Sequence, residues 1–242
     1  MKIVVIIQAR MGSTRLPKKV MKMLMDKTVL GHVITRCLAI QSIDEVIVAT
    51  SDFEEDDAIC IEAEKYGVAC YRGSQQNVLS RYYGAARKAQ ADYIVRITSD
   101  CPLLDPKISD KVIKDFLANE CDYSSSGLSG TFPRGLDTEV FSFSALEKAY
   151  NEASIEYERE HVTPYIYQHP ELFNFRIYSN NQDDSRYRLT LDTEEDWEVI
   201  RKVYEVLYRG EIFYWEDMRD MLVEHPEWAL INAEVKQKQL GE

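Results

Sequence analysis

The sequence predicts an α/β protein, a doubly wound, mostly parallel, Rossmann-like sheet with helices on both faces and a small inserted lobe. Apolar runs rich in β-branched residues recur at Ile3–Ile7 (IVVII), Glu45–Thr50 (EVIVAT) and Tyr93–Thr98 (YIVRIT). Such runs suit strands buried on both faces. Helical segments separate them, and a βαβα order implies parallel strands joined by crossovers. The chain's 242 residues, 45% of them hydrophobic, suffice for one large domain.

The elements follow in order. Ile3–Ile7 is the first strand and Glu45–Thr50 the second. Between them, Thr28–Leu38 carries apolar residues that serve either the core or a dimer contact. Asp52 is placed to cap the acidic helix EEDDAICIEAEKYG, which ends at Gly67. Val68–Tyr71 is a short third strand, Asn77–Ala89 a helix and Tyr93–Thr98 the fourth strand. Asp105-Pro106 opens the next helix, since proline is tolerated at the first helical position. The rhythm changes after Cys121. Asp122–Phe132 (DYSSSGLSGTF) is small and polar and reads as a mobile loop, followed by a strand at Thr138–Phe143. Ser144-Ala-Leu-Glu147 reads as a capping box opening a helix. Helix signals run through Glu156–Gln168 and stop near Pro170. Phe173–Ser179 and Arg188–Leu191 look like strands, and Glu194–Tyr208 and Glu216–Glu224 like helices. A single domain over residues 1–242, with an inserted lobe at about 121–180, is the simplest division.

Composition narrows the partners. A net charge of -12 and a pI near 4.9 argue against nonspecific nucleic-acid binding, which needs a basic face. Cys37, Cys60, Cys70, Cys101 and Cys121 are odd in number and lack C-x-x-C spacing. That pattern argues against zinc or a disulfide framework and for a reducing compartment. No apolar run reaches the roughly 18 residues of a membrane span, and residues 1–9 enter a core strand without a signal pattern. The expectation is a cytoplasmic protein.

Against that acidic background, Arg10, Arg15, Lys18, Lys19 and Lys22 follow the first strand with no acidic residue among them. Gly12 and Ser13 allow a sharp turn there. A solvated basic loop is one reading. The other is a phosphate site, where guanidinium groups and amides converge on a polyanion. The loop's place at the carboxyl end of a strand favours the second, because open α/β sheets bind ligands there. Neither G-x-x-x-x-G-K-[ST] nor G-x-G-x-x-G is matched, so this is neither a P-loop nor a dinucleotide fingerprint. Asp100, in RITSDCPLLD, and Asp192, in LTLDTEEDW, each follow a short apolar segment. Carboxylates at that edge suit Mg2+ beside substrate phosphates. Taken alone, Asp192 reads equally well as a helix N-cap, and Asp100 more often as a turn residue than as a ligand.

The stretch QARMGSTRLPKKV resembles the signature of sugar-activating cytidylyltransferases, the acylneuraminate and 3-deoxy-manno-octulosonate enzymes, and among them the SpsF-like group. D-C-P-L at Asp100 and L-D-T-E-E-D at Leu191 match two further motifs of that family in the expected order. RGS-x-x-x-VL-x-R at Arg72–Arg81, G-L-D-x-E-x-F at Gly135–Phe141 and E-R-E-H-V-T-P at Glu158–Pro164 match others. One departure stands out, Lys18 where the family has glycine, at a place where glycine takes backbone angles that lysine avoids.

The resemblance implies a sheet of the nucleotide-diphospho-sugar transferase type and an enzyme that transfers CMP from CTP to a sugar acid, releasing pyrophosphate. It implies Arg10, Gly12, Ser13, Arg15 and Lys19 on the triphosphate, and Gly73, Ser74 and Arg81 by the base. Asp100 and Asp192 become Mg2+ ligands, with Arg10 and Lys19 sharing the catalytic work. It places Arg134, Asp137, Glu139, Glu160 and His161 on the sugar, and makes the lobe part of a homodimer interface. A sialic-like nonulosonic acid is the expected acceptor. The alternatives are a sugar phosphate or phosphonate acceptor, or a catalytically silent nucleotide-binding homologue.

Overall fold

The computed structural model describes residues 1–237 and 240–241. The first strand, β1 (Ile3–Gln8), leads through the basic loop and a 3-10 turn at Lys19–Met21 into a two-stranded hairpin. That hairpin pairs β2 (Met23–Leu24) with β3 (Lys27–Thr28), and α1 (Val29–Leu38) follows with Thr28 as its N-cap. Next come β4 (Glu45–Ser51), α2 (Asp57–Lys65), β5 (Ala69–Gly73), α3 (Val78–Ala89), β6 (Tyr93–Thr98) and α4 (Pro106–Ala118). The second half adds β7 (Tyr123–Ser125), β8 (Glu139–Ser142), α5 (Phe143–Glu152), α6 (Glu156–His161), α7 (Pro164–Tyr167) and β9 (Phe175–Ile177). It closes with α8 (Glu194–Leu207), α9 (Trp215–Glu224) and α10 (Pro226–Ile231).

Seven strands form one sheet in the order β5-β4-β1-β6-β8-β7-β9. β5, β4, β1 and β6 are parallel, β8 runs against both β6 and β7, and β9 is parallel to β7. The unbroken apolar run of β1 has its reason in this central place. Ile3, Val5 and Ile7 face a core shared with α1, α2, α4, α8 and α9, whereas Val4 and Ile6 face a second core under α3, α5 and α7. Each fully buried Val or Ile there contributes roughly 1.5–3 kcal/mol of apolar transfer. Residues 121–180 extend this same sheet by β7, β8 and β9 and lay α5, α6 and α7 against the second core.

Several local expectations need correction. Asp52 does not cap the acidic helix: its N–H donates to the Gly73 carbonyl (2.9 Å), and a 3-10 turn at Glu54–Asp56 precedes α2. Residues 122–132 are not simply loop, because Tyr123–Ser125 is a buried strand whose sheet partners satisfy its backbone. Ser142, not Ser144, caps α5, accepting from the Ala145 N–H (3.1 Å). The helix expected over 156–168 breaks in two at Val162, whose φ is 74°. Arg188–Leu191 makes only an isolated bridge, Arg134 to Arg188. A disulfide joins Cys60 to Cys70, against the expectation of unbridged cysteines, so the cysteine pattern gives no support to a reducing compartment. The fold sets α2 beside β5 and brings together two cysteines whose spacing carries no such signal. Thr28–Leu38 settles on the core side, with Val29, Leu30, Val33, Ile34 and Cys37 fully buried. Among the described residues, no helix is long and apolar enough to cross a membrane.

Lys18 stands at φ 56°, ψ 24°, the left-handed conformation that glycine adopts freely. The loop therefore keeps the shape a glycine would give it and carries the strain in a lysine. Lys18→Gly is expected to raise stability by about 1 kcal/mol in urea unfolding. An unchanged or lowered midpoint would mean that Lys18 makes compensating contacts.

Candidate active site

The carboxyl ends of β1, β4, β5 and β6 meet at one edge of the sheet. The antiparallel β8 brings its amino end, Glu139, to the same edge, since Glu139 pairs in register with Arg96 of β6. The loops leaving that edge carry most of the chemistry.

The basic loop is pinned from below. The Met11 N–H donates to Asp56 Oδ1 (2.7 Å), and Asp56, 1% exposed, also accepts from the Ser51 N–H (3.2 Å) and hydroxyl. Ser13 Oγ accepts from the Leu16 N–H (3.4 Å), and Gly12 is exposed. At the far end of the loop, the Lys19 ammonium donates to Asp100 Oδ2 (2.9 Å), Asp192 Oδ1 (2.8 Å) and the Leu191 carbonyl (2.7 Å). Three segments remote in sequence thus converge on one charge. The 189–192 segment reaches this place by two contacts to the Asp100 carbonyl, from the Leu191 N–H (2.8 Å) and the Thr190 hydroxyl (3.4 Å).

The other Asp192 oxygen, Oδ2, takes Arg188 Nη2 (2.9 Å) and Arg15 Nη2 (3.2 Å). The Thr98 hydroxyl donates to Asp100 Oδ1 (2.6 Å). Burial pushes the Asp100 carboxyl up, but Lys19 and Thr98 outweigh it and hold it at about 2. Burial likewise opposes the Lys19 charge, and Asp100 and Asp192 more than offset it, so its pKa lies above the usual lysine value.

Gly73, Ser74 and Arg81 gather where β5 meets α3. The Arg81 side chain runs under Gly73, where an added Cβ would stand 3.1 Å from Arg81 Cγ. Arg81 is 2% exposed, and its Nε and Nη1 have no hydrogen-bond partner among the described residues. Burial pushes its pKa down. Ser74 is exposed and its Oγ accepts from the Asn77 N–H (3.1 Å), while Asn77 caps α3.

The second group expected at the site is spread along the β8 side. Gly135, at φ 103°, lies so close to Leu189 and Thr190 that a Cβ would stand 2.5 Å from the Leu189 carbonyl carbon, and only glycine fits. That contact holds Arg134 exposed beside the 188–192 segment. Asp137 accepts from the Gly135 N–H (2.9 Å), and burial together with Glu139 and Asp100 pushes its carboxyl up. Glu139 is engaged on the protein's own groups: Oε1 accepts from Tyr123 (2.6 Å) and Thr163 (2.6 Å), and Oε2 pairs with Arg96. Glu160 lies 3.8 Å from Arg10 and so joins this side to the basic loop. Burial pushes the His161 pKa down, which leaves the ring neutral at pH 7.

Sequence reasoning missed Asp56, Thr98, Arg96 and Arg188. The first three carry no spacing signal. The fourth does, since Arg188, Asp192 and Asp196 recur every four residues. Asp100 and Asp192 present carboxylate oxygens around one cation, the donor chemistry Mg2+ accepts when substrate phosphates complete its shell. Among the described residues, no three His, Cys, Asp or Glu side chains form a ready-made metal cluster.

Comparison with known proteins identifies the family and the fold. The family model described as "Cytidylyltransferase" matches residues 4–223. The chain is 34% identical to the spore coat polysaccharide biosynthesis protein SpsF of Bacillus subtilis over 215 residues, 84% of this chain and 86% of that one. A cytidylyltransferase structure from Leptospira borgpetersenii superposes with a TM-score of 0.91 at 38% identity, covering 99% of this chain and all of the other. The structure of CMP:2-keto-3-deoxy-manno-octonic acid synthetase complexed with CTP shares the fold, with a TM-score of 0.66 at 17% identity, over 85% of this chain and 99% of that one. A sheet edge where a basic loop meets two carboxylates and a match running from β1 into α9 lead to one conclusion: the chain belongs to the SpsF-like cytidylyltransferases and is a CTP-dependent nucleotidyltransferase.

Proposed function

We propose that the enzyme transfers CMP from CTP to a sugar acid, a sialic-like nonulosonic acid, with Mg2+ as cofactor and pyrophosphate as the second product. The reading is of a cytoplasmic homodimer serving surface-glycan synthesis. The observation that carries it is the Lys19 ammonium set between Asp100 and Asp192 at the end of a basic loop. A lysine and two carboxylates in mutual contact suit a polyphosphate and its counter-ion better than a neutral ligand.

In this reading Arg10, Arg15 and Lys19 hold the triphosphate, with the Gly12 and Ser13 backbone turning beneath it. Gly73, Ser74 and Arg81 line the base side. Asp100 and Asp192 would hold Mg2+, which supplies charge neutralisation at the phosphates. The acceptor hydroxyl attacks the α-phosphorus, the bond from that phosphorus to the pyrophosphate oxygen breaks, and the hydroxyl gives up its proton. Asp192 and the neutral His161 are the two groups suited to receive that proton. Arg134, Asp137 and Glu160 take the acceptor, with Arg134 reading its carboxylate. Glu139 supports that side through Arg96, Tyr123 and Thr163.

The direct test is the thermal midpoint with CTP, UTP, ATP or GTP, with and without Mg2+. A ligand at 100 times its Kd adds about 2.7 kcal/mol, so CTP with Mg2+ should give the largest rise. An equal rise with UTP or ATP would refute CTP selectivity. Lys19→Ala should weaken CTP binding, and Asp192→Ala should abolish Mg2+-dependent pyrophosphate release while leaving the circular dichroism spectrum unchanged. Normal metal-dependent release by Asp192→Ala would remove it from the metal site.

The same site has an acid signature. The Asp100 carboxyl lies below its ordinary value in the folded protein. Its contribution is therefore complete above the ordinary value of 3.8 and is lost as pH falls toward about 2. Urea unfolding of Asp100→Asn should show a shallower loss of stability between those pH values than the parent protein. Parallel profiles would mean that Lys19 does not hold that carboxylate ionised.

A further inference from the structure

The family model ends at residue 223, yet the chain beyond it returns to the site. α10 is followed by Asn232, 2% exposed, whose Nδ2 donates to Asp196 Oδ1 (2.9 Å) and to the Arg188 carbonyl (3.0 Å). Four residues on, the Lys236 carbonyl accepts from Arg15 Nη1 (3.3 Å). The next residue, Gln237, accepts Arg188 Nη1 on its Oε1 (3.0 Å). Arg15 and Arg188 are the two arginines that share Asp192 Oδ2.

Arg188 has each guanidinium nitrogen engaged. Nε donates to Asp196 Oδ1 (2.8 Å), Nη2 to Asp196 Oδ2 (3.0 Å) and to Asp192 Oδ2 (2.9 Å), and Nη1 to Gln237. Asp196 is fully buried and also accepts from the backbone N–H groups of Asp192 (2.9 Å) and Thr193 (3.2 Å). A guanidinium is a rigid planar fork, so fixing it at Asp196 and Gln237 also fixes the direction of its bond to Asp192. The Asp192 carboxylate is thereby turned with Oδ2 toward the arginines and Oδ1 toward Lys19.

We propose that Arg188 is the positioning residue of Asp192, and that Asn232–Gln237 is a strap completing the active site from outside the matched family stretch. The proposal rests on the reading of Asp192 as a carboxylate that works on CTP and Mg2+. Groups that orient a metal-holding carboxylate typically change metal affinity or activity 10- to 100-fold when removed.

The test uses full-length Arg188→Lys, Gln237→Ala and Gln237→Glu. CTP is titrated calorimetrically with and without Mg2+, and a 15N–1H spectrum tuned to lysine ammonium groups is recorded on the nucleotide-free protein. The Lys19 signal is assigned by its loss in Lys19→Arg. The gain in CTP affinity brought by Mg2+ should fall roughly 10- to 100-fold in Arg188→Lys and about tenfold in Gln237→Ala. CTP affinity without Mg2+ should hold within about twofold, and Gln237→Glu, which keeps an acceptor for Nη1, should restore the gain. The Lys19 ammonium signal, sharp in the parent protein, should broaden in the first two variants and return in the third. Variants that keep both the Mg2+ gain and the sharp signal overturn the proposal, as does an equal loss of affinity with and without Mg2+. If the parent protein itself binds no CTP, the nucleotide reading fails, and the ammonium spectrum alone decides whether the strap holds Asp192.

Discussion

The three hydrogen bonds of the Lys19 ammonium are the constraint on which the rest of the site depends. They close a circuit among the loop after β1, the loop after β6 and the segment entering α8, none of which is a neighbour of another in sequence. The charge is partly buried, and a buried ammonium is tolerable only when paired and hydrogen-bonded. Asp100 and Asp192 satisfy it, and in turn they would repel each other without it. The folded state therefore sets two carboxylates close together by placing a cation between them, an arrangement that suits later exchange of that cation's partners.

This local pairing also explains how a chain of net charge -12 handles a polyanion. Arg15, Lys19 and Arg188 are compensated by Asp100, Asp192 and Asp196 within a few ångströms. The acidic remainder of the surface is screened over about 10 Å at 0.1 M salt, so the site's own charges dominate inside it. Arg10, by contrast, is half exposed and among the described residues pairs only with Glu160, at 3.8 Å. Of Arg10, Arg15 and Lys19, it has the least to give up when an anion arrives.

The parallel half of the fold was legible because its signals are local. Buried strands read as apolar runs, and Asn77 and Asp105 cap their helices as their chemistry suggests. β7 was hidden because its serines owe their burial to sheet partners far along the chain. Ser144 was mistaken for a cap because Ser142 has the same chemistry two residues earlier. Of the site, Lys19, Asp100 and Asp192 were legible as charged residues leaving apolar segments, with the family signature to align them. Their direct contact was not, and neither was the role of Asp56, which sits in an acidic run and looks like one more solvated charge.

The reversed direction of β8 has a consequence for how such a site can diversify. Side chains at the edge come from loops that leave β1, β4, β5 and β6, but Arg134 and Asp137 come from a loop that enters β8. The two sets thus hang from opposite chain polarities at one edge of the sheet. The segment between β7 and β8 takes no part in the register of the four parallel strands that carry the other set. The sheet separates what must stay constant from what is free to vary by the orientation of a single strand.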